Sequence, residues 1–590
     1  MKLSNVIPLG YDYRQSYDVD ISDDSGTIVS VTPTTHPPNS SPRPVPSLLL
    51  PSLCHPHIHL DKPYLLTSHT SHNHTAGNRT DTSTSTSQDR DKNSPADRNV
   101  DYSDLSLVTG TFTEALTHTS AAKTRYTPSD LFNRGAQLIA VSLACGVTSL
   151  RAFVELDHVT NRACLDAGLA LKHHFAAHCH IQLCAFAQDP VFNTDKHGEA
   201  NRAVIEQALS SNNAELVSSD GIEVLGSTPY VEGSPALQRK NIDWAIDLAM
   251  KYTLHVDFHL DYNLDPHSEP MIWHVVETLK QKRWTERMPA SKTVVVGHCS
   301  RLTLFSEEEW TRLAREIREH DLPIHFVGLP TSDLFMMGRR ETESGGDKKG
   351  ASSDNNESNE SSNTTGENSG SSSNDRNDTN NSDPNTKIPF STPRGTLPLP
   401  TLIRSYSLPS ALGINNVGNA FTPWGSVDPL RLASLGVGVY QAGTREDARL
   451  LFECVSDRAR KAIGLIHEGH RGEGGMIGRQ APFLVICNDT REIGIEVQGP
   501  ETETGTEIET ETETGTVTKT ETKTKAETDH NKTDKDQNTS ETNAIKTRRL
   551  DRQWKIQKKM LGVYTRPHLA VEDVIWDPPA IETRRIIAFS

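Results

Sequence analysis

The chain has 590 residues, of which 34% are hydrophobic and 23% charged, and a formal net charge of −17 at pH 7. An acidic surplus of that size argues against nucleic acid as a partner and favours a small molecule. No run of about 18 apolar residues occurs and no apolar signal core opens the chain, so neither membrane spanning nor secretion is expected. The eight cysteines form no CxxC pair and mostly lie within apolar patterns. That usage fits reduced, buried thiols in a cytoplasmic protein.

In chain order, residues 1–47 carry short alternating segments (NVIPL, YDVDI, GTIVSVTP) separated by polar turns, which predict strands of a small β unit. PFLVICN, EIGIEV, EDVIWDPP and TRRIIAFS in 466–590 have the same texture, so the two ends are expected to share one small sheet. Between them, in 48–465, eight apolar strand-like runs alternate with helical patterns. The runs are 48–59, 147–156, 180–188, 221–231, 253–261, 293–299, 323–329 and 412–421. Helical patterns such as 128–146 and MIWHVVETLKQK repeat their apolar residues at spacings of three and four. Eight strand-helix units in succession predict an α/β fold, a (β/α)8 TIM-type barrel with a small β-sandwich built from both chain ends. Three tracts, about 68–101, 341–386 and 501–543, are rich in Ser, Thr, Asn, Asp and Glu and almost lack large apolar residues. They read as disordered insertions, because such compositions bury too little apolar area to offset the entropy of ordering.

The barrel pattern directs attention to the carboxyl ends of its strands, where the functional residues of such folds sit. The first strand ends in His57-Ile58-His59, and period-2 alternation puts both imidazoles on one face. Two neutral imidazoles so placed hold a borderline cation, zinc or iron, from one side. The fifth strand sends His255, Asp257, His259 and Asp261 inward, and the sixth ends in Gly297-His298-Cys299. His57, His59 and His259 are thus expected to converge as metal ligands, with His298 beside them. The histidines of SHTSHNHT (68–75) fall in a disordered tract and are read as incidental. Lys62 is expected to form an ion pair with Asp61 or Glu155.

HIHLDK (57–62), GVTSLRAFVELD (146–157), LCAFAQDPVF (183–192), HLDYNLD (259–265), GHCSRLT (297–303), LPTSDLFMMGR (329–339) and NNVGNAFTPWGSVDPL (415–430) occur in that order. In these motifs the chain resembles the cytosine deaminase-like branch of the amidohydrolase superfamily. The resemblance implies one divalent metal on His57, His59 and His259, Gln188 on the polar edge of a heterocyclic substrate, and His298 at the hydrolytic water. Phe421 and Trp424 are expected to stack on a flat ring. Two positions depart from the family pattern. Tyr262 stands where the resemblance implies a glutamate proton shuttle, and Asn415, of Asn415-Asn416-Val417, where it implies a metal-binding aspartate. Asn415 is then a neutral fourth ligand, and Asp261, Asp265 or His298 the remaining choices of base. The two departures imply weaker metal binding and impaired deaminase chemistry, an expectation that would weaken considerably if Asp428 rather than Asn415 faced the histidines. The function implied is hydrolysis of a non-peptide carbon-nitrogen bond in a small, cyclic amide or amidine. The alternative is a catalytically inert barrel acting as a binding or interaction module. A homo-oligomer is compatible with either.

Overall fold

The computed structural model describes residues 1–35, 44–67, 100–210, 218, 220–337, 395–465, 476–480, 482–488, 492–499, 555–564 and 566–588. The SHTSHNHT histidines and nearly all of the three polar tracts lie outside them.

Eight parallel strands form the central sheet: β1 (Leu53–His59), β2 (Val147–Glu155), β3 (His180–Ala187), β4 (Ile222–Ser227), β5 (His255–Leu260), β6 (Val294–His298), β7 (Ile324–Gly328) and β8 (Ser410–Leu412). Each pairs with its sequence neighbour in order. The ring closes through a parallel bridge between Ile58 and Asn415, in which His57 O accepts from Asn415 N (3.1 Å) and Asn415 O accepts from His59 N (2.9 Å). This is the expected (β/α)8 barrel. Its strands are buried on both faces, which is why they read as near-continuous apolar runs such as VVV in β6. The helices between them carry local start signals. Thr127 caps Pro128–Ala144, and Ser306 and Glu309 form a capping box on Glu307–Glu319.

Both ends of the chain meet in a second, six-stranded sheet, in the order Arg584–Ile587, Phe483–Ile486, Ser47–Pro51, Lys2–Pro8, Tyr17–Ile21 and Ile28–Pro33. The first expected run, 48–59, therefore divides at Ser52. Its amino half belongs to this sheet, with Leu48 and Leu50 packed into the main core and Leu49 into the small one. EDVIWDPP is a helix, Val571–Trp576, rather than a strand. Its buried Val571, Val574 and Ile575 follow helical spacing, and Asp573 accepts from the amides of Leu569 and Ala570 at its start. EIGIEV lies in a separate unit, residues 490–567, where Glu492–Gly499 pairs antiparallel with Lys555–Tyr564. The eighth barrel strand is the short Ser410–Leu412, and the segment expected as strand, 412–421, leaves it as irregular chain over the mouth.

All eight cysteines are free thiols, seven of them buried. Among the described residues no helix is long and apolar enough to cross a membrane.

Candidate metal and catalytic site

His57 and His59 leave the end of β1, and His259 comes from β5 across the barrel. The His57 Nε2 and His59 Nε2 atoms lie 3.0 and 3.1 Å from His259 Nε2. All three rings are at most 2% exposed. Burial pushes the three imidazoles below their ordinary range. Neighbouring charge adds to this at His59 (Lys62) and His259 (His57), whereas Asp257 opposes it at His57. Neutral rings leave a lone pair on each Nε2 unless that atom carries the proton, and three such lone pairs in contact repel. A cation between them removes the conflict. With zinc-nitrogen bonds of about 2.05 Å, ligand atoms lie about 2.9 Å apart at a right angle and about 3.4 Å apart at the tetrahedral angle. Both separations from His259 fall in that interval, and the three ligand atoms all lie within 4.8 Å of one another, so they can share one divalent metal.

The rings are fixed by packing. Phe153 on β2 and Phe186 on β3 form an apolar floor, with ring centroids 4.1 Å from His57 and 4.5 Å from His259. A Cβ at Gly297 would stand 3.3 Å from the His57 ring, and one at Gly413 3.2 Å from its Cβ, so both glycines admit the imidazole. Above, Phe112, Tyr230, Tyr262 and Phe421 make edge and tilted contacts that roof the site. Phe112 opens the helix Phe112–Lys123, which follows the first barrel strand.

Asp261 (φ 49°), His298 (φ 65°) and Asn415 (φ 67°) stand at or just beyond the ends of β5, β6 and β8 with left-handed backbone. Non-glycine residues in that conformation cost about 1 kcal/mol or more and cluster where side chains must be aimed. Asn415 directs Nδ2 to Ser332 Oγ (2.8 Å), while its buried Oδ1 has no hydrogen-bond partner and adjoins His59. Asp428 lies elsewhere, capping Leu430 N (3.0 Å) and pairing with Arg584 at 2.8 Å through both oxygens. Asn415 is therefore the residue that faces the histidines.

His298 Nδ1 lies 2.7 Å from Asp333 Oδ1, whose other oxygen accepts from Thr396 Oγ1 (2.9 Å) and Leu329 N (3.2 Å). Asp333, within Ser332-Asp333-Leu334-Phe335, is not among the residues that the sequence motifs single out. The available signal was a carboxylate in the first turn of the helix Pro330–Met337, directly after β7. The other expected bases sit apart from the histidines. Asp261 accepts from Met271 N (2.7 Å) and Ile272 N (3.1 Å), and burial pushes its carboxyl up to about 7. Asp265 is in an exposed turn. Burial holds the Tyr262 hydroxyl well above its ordinary range, where it is a neutral donor to Ser332 O (3.3 Å), with its ring 3.9 Å from that of His298.

Gln188 Oε1 accepts from Lys62 Nζ at 3.1 Å, and Lys62 also pairs with Glu155, as one of its two expected partners. Lys123, at the end of the roofing helix, meets Glu155 (2.6 Å), Asp157 (2.9 Å) and Asp189 (3.0 Å). Phe421 lies 5.5 Å from Lys62 Nζ. Trp424 is 39% exposed, outside this aromatic group.

No protein-family model matches the chain, and no curated protein matches it. Among solved structures, it is similar to 5-methylcytosine deaminase from Klebsiella pneumoniae liganded with 5-fluorocytosine, with a TM-score of 0.57 and 19% identity over 82% of this chain and 91% of that one. It is also similar to N-isopropylammelide isopropylaminohydrolase from Burkholderia multivorans, with a TM-score of 0.51 and 19% identity over the same shares of each chain. The chain has the fold of the cytosine deaminase-like amidohydrolases.

Proposed function

We propose that this chain is a hydrolase of a non-peptide carbon-nitrogen bond in a small, cyclic amide or amidine, working with one divalent metal held by His57, His59 and His259. The observation that carries this reading is the convergence of three buried imidazole nitrogens at 3.0 and 3.1 Å. Bound there, zinc or iron supplies Lewis-acid polarisation of a water or a carbonyl oxygen.

The remaining chemistry belongs to side chains. With its Nδ1–H donating to Asp333, His298 keeps the Nε2 lone pair for taking a proton from water and returning it to the leaving nitrogen. The Gln188 amide offers donor and acceptor to an N-C=O edge, its orientation fixed by Lys62. Phe112, Tyr262 and Phe421 exclude bulk water, which strengthens every polar contact beneath them. Asn415 supplies a neutral oxygen and accepts no proton, so proton transfer rests on the His298-Asp333 pair alone.

The test is the metal content of the purified full-length chain, together with ammonia or amine release from a panel of cyclic amides and amidines. About one equivalent of zinc or iron per chain, and turnover abolished by His259→Ala, are the expected results. A chain that takes up no metal after supplementation overturns the proposal and leaves a non-catalytic binding barrel.

A further inference from the structure

Beneath the three imidazoles a line of hydrogen-bonded polar side chains crosses the barrel. Gln182 on β3 donates through Nε2 to Ile463 O (3.2 Å) at the barrel floor and accepts through Oε1 from Arg151 Nε (2.7 Å). Arg151 on β2 donates through Nη1 to Asp257 Oδ2 (2.8 Å). The second Asp257 oxygen, Oδ1, lies 3.7 Å from His57 Nδ1. His57, Arg151 and Asp257 are all fully buried, and neither Asp257 Oδ1 nor His57 Nδ1 has a hydrogen-bond partner. A buried ion pair is a costly thing to place in a barrel core, where apolar residues of equal volume are often as stable or more so. Its presence directly under one metal-binding ring calls for a reason.

We propose that Asp257, fixed by Arg151, is the positioning carboxylate of the metal centre. A ring that ligates through Nε2 must carry its proton on Nδ1, and that N-H needs an acceptor if it is buried. Among the described residues, Asp257 is the one carboxylate with an oxygen within 4 Å of a ring nitrogen of His57, His59 or His259. A small rotation of ring or carboxylate closes the 3.7 Å gap to a hydrogen bond. Arg151 holds the opposite oxygen, so the carboxylate cannot turn away, and Gln182 holds Arg151. His57 thereby keeps one tautomer and one orientation, with Nε2 toward His259.

This assignment rests on the metal reading above, and the experiment separates the two. Zinc dissociation constants are measured by chelator competition on full-length wild type, on Asp257→Asn, and on the double variant Arg151→Met with Asp257→Leu. Asp428→Asn, which breaks a buried arginine pair remote from the histidines, serves as control. Circular dichroism and the unfolding midpoint of each metal-free chain report folding. Both Asp257 variants should bind zinc about 10- to 100-fold more weakly than wild type, the usual loss when such a partner is removed, while the control binds as wild type does. Either Asp257 variant that folds and retains wild-type zinc affinity overturns the assignment. A double variant that fails to fold overturns it as well, since the pair would then be a requirement of the barrel and not of the ligand. Wild-type chain that binds no zinc overturns the metal reading, and this assignment with it.

Discussion

In the proposed metal centre, the identity of residue 415 would set the charge. Its amide oxygen is buried and unpartnered beside His59, so a carboxylate there would meet the cation with a full negative charge. In the Asn415→Asp variant zinc binding should tighten by about tenfold or more, equivalent to about 1.4 kcal/mol. The metal-free variant should lose about 1–3 kcal/mol, the cost of a buried group with unmet polar demand. Unfolding midpoints with and without zinc would thus move in opposite directions, and midpoints that move together would refute the placement. The shared direction of His57 and His59 was legible in the sequence because HxH at a strand end fixes their face. Asp333 was not, because its partner His298 lies 35 positions away and only the pairing of β6 with β7 brings them together. Residue type and position alone do not fix that Asp261 accepts from the amides at the start of a helix, or that Trp424 is partly exposed to solvent.

At the scale of elements, the strands were legible where burial on both faces wrote long apolar runs, and the boundaries were lost where it did not. β8 forms only three residues, and the chain beyond it reads as strand because Ile414, Val417 and Phe421 are apolar and buried, although they do not pair as a ladder. The helix Phe112–Lys123 shows how one element is tied to the site through its last residue. Burial alone would push the Lys123 ammonium down, but Glu155, Asp189 and Asp157 overcome it and hold it well above its ordinary range. Removing that cation in Lys123→Met leaves buried carboxylates without their counter-charge, a change that typically costs about 3–5 kcal/mol. Urea denaturation should show a loss of this size, with Lys123→Arg much closer to wild type. A Lys123→Met chain as stable as wild type would mean that Lys62 alone balances the cluster.

Across the whole molecule, the polar groups enclosed by the barrel make its stability depend on pH. His325 on β7 is 7% exposed, and burial, with Lys461 and Arg151 adding to it, pushes its imidazole down to about 3. In the unfolded chain that ring protonates near 6.5. Between those values the unfolded state holds a proton that the folded state lacks. Stability from this ring is therefore unaffected above about pH 7 and falls as pH falls, by about 1.4 kcal/mol per unit. Buried Asp61 and Asp261, pushed up to about 6 and 7, work in the opposite direction, so the wild-type profile alone does not isolate the ring. A comparison with His325→Gln does, because glutamine fills the site without titrating. Whatever stability the variant loses at pH 7.5, it should recover about 2 kcal/mol of it relative to wild type at pH 5. Urea unfolding of both chains at the two pH values measures this, and a stability difference that does not change with pH would show that His325 takes up its proton in the folded barrel.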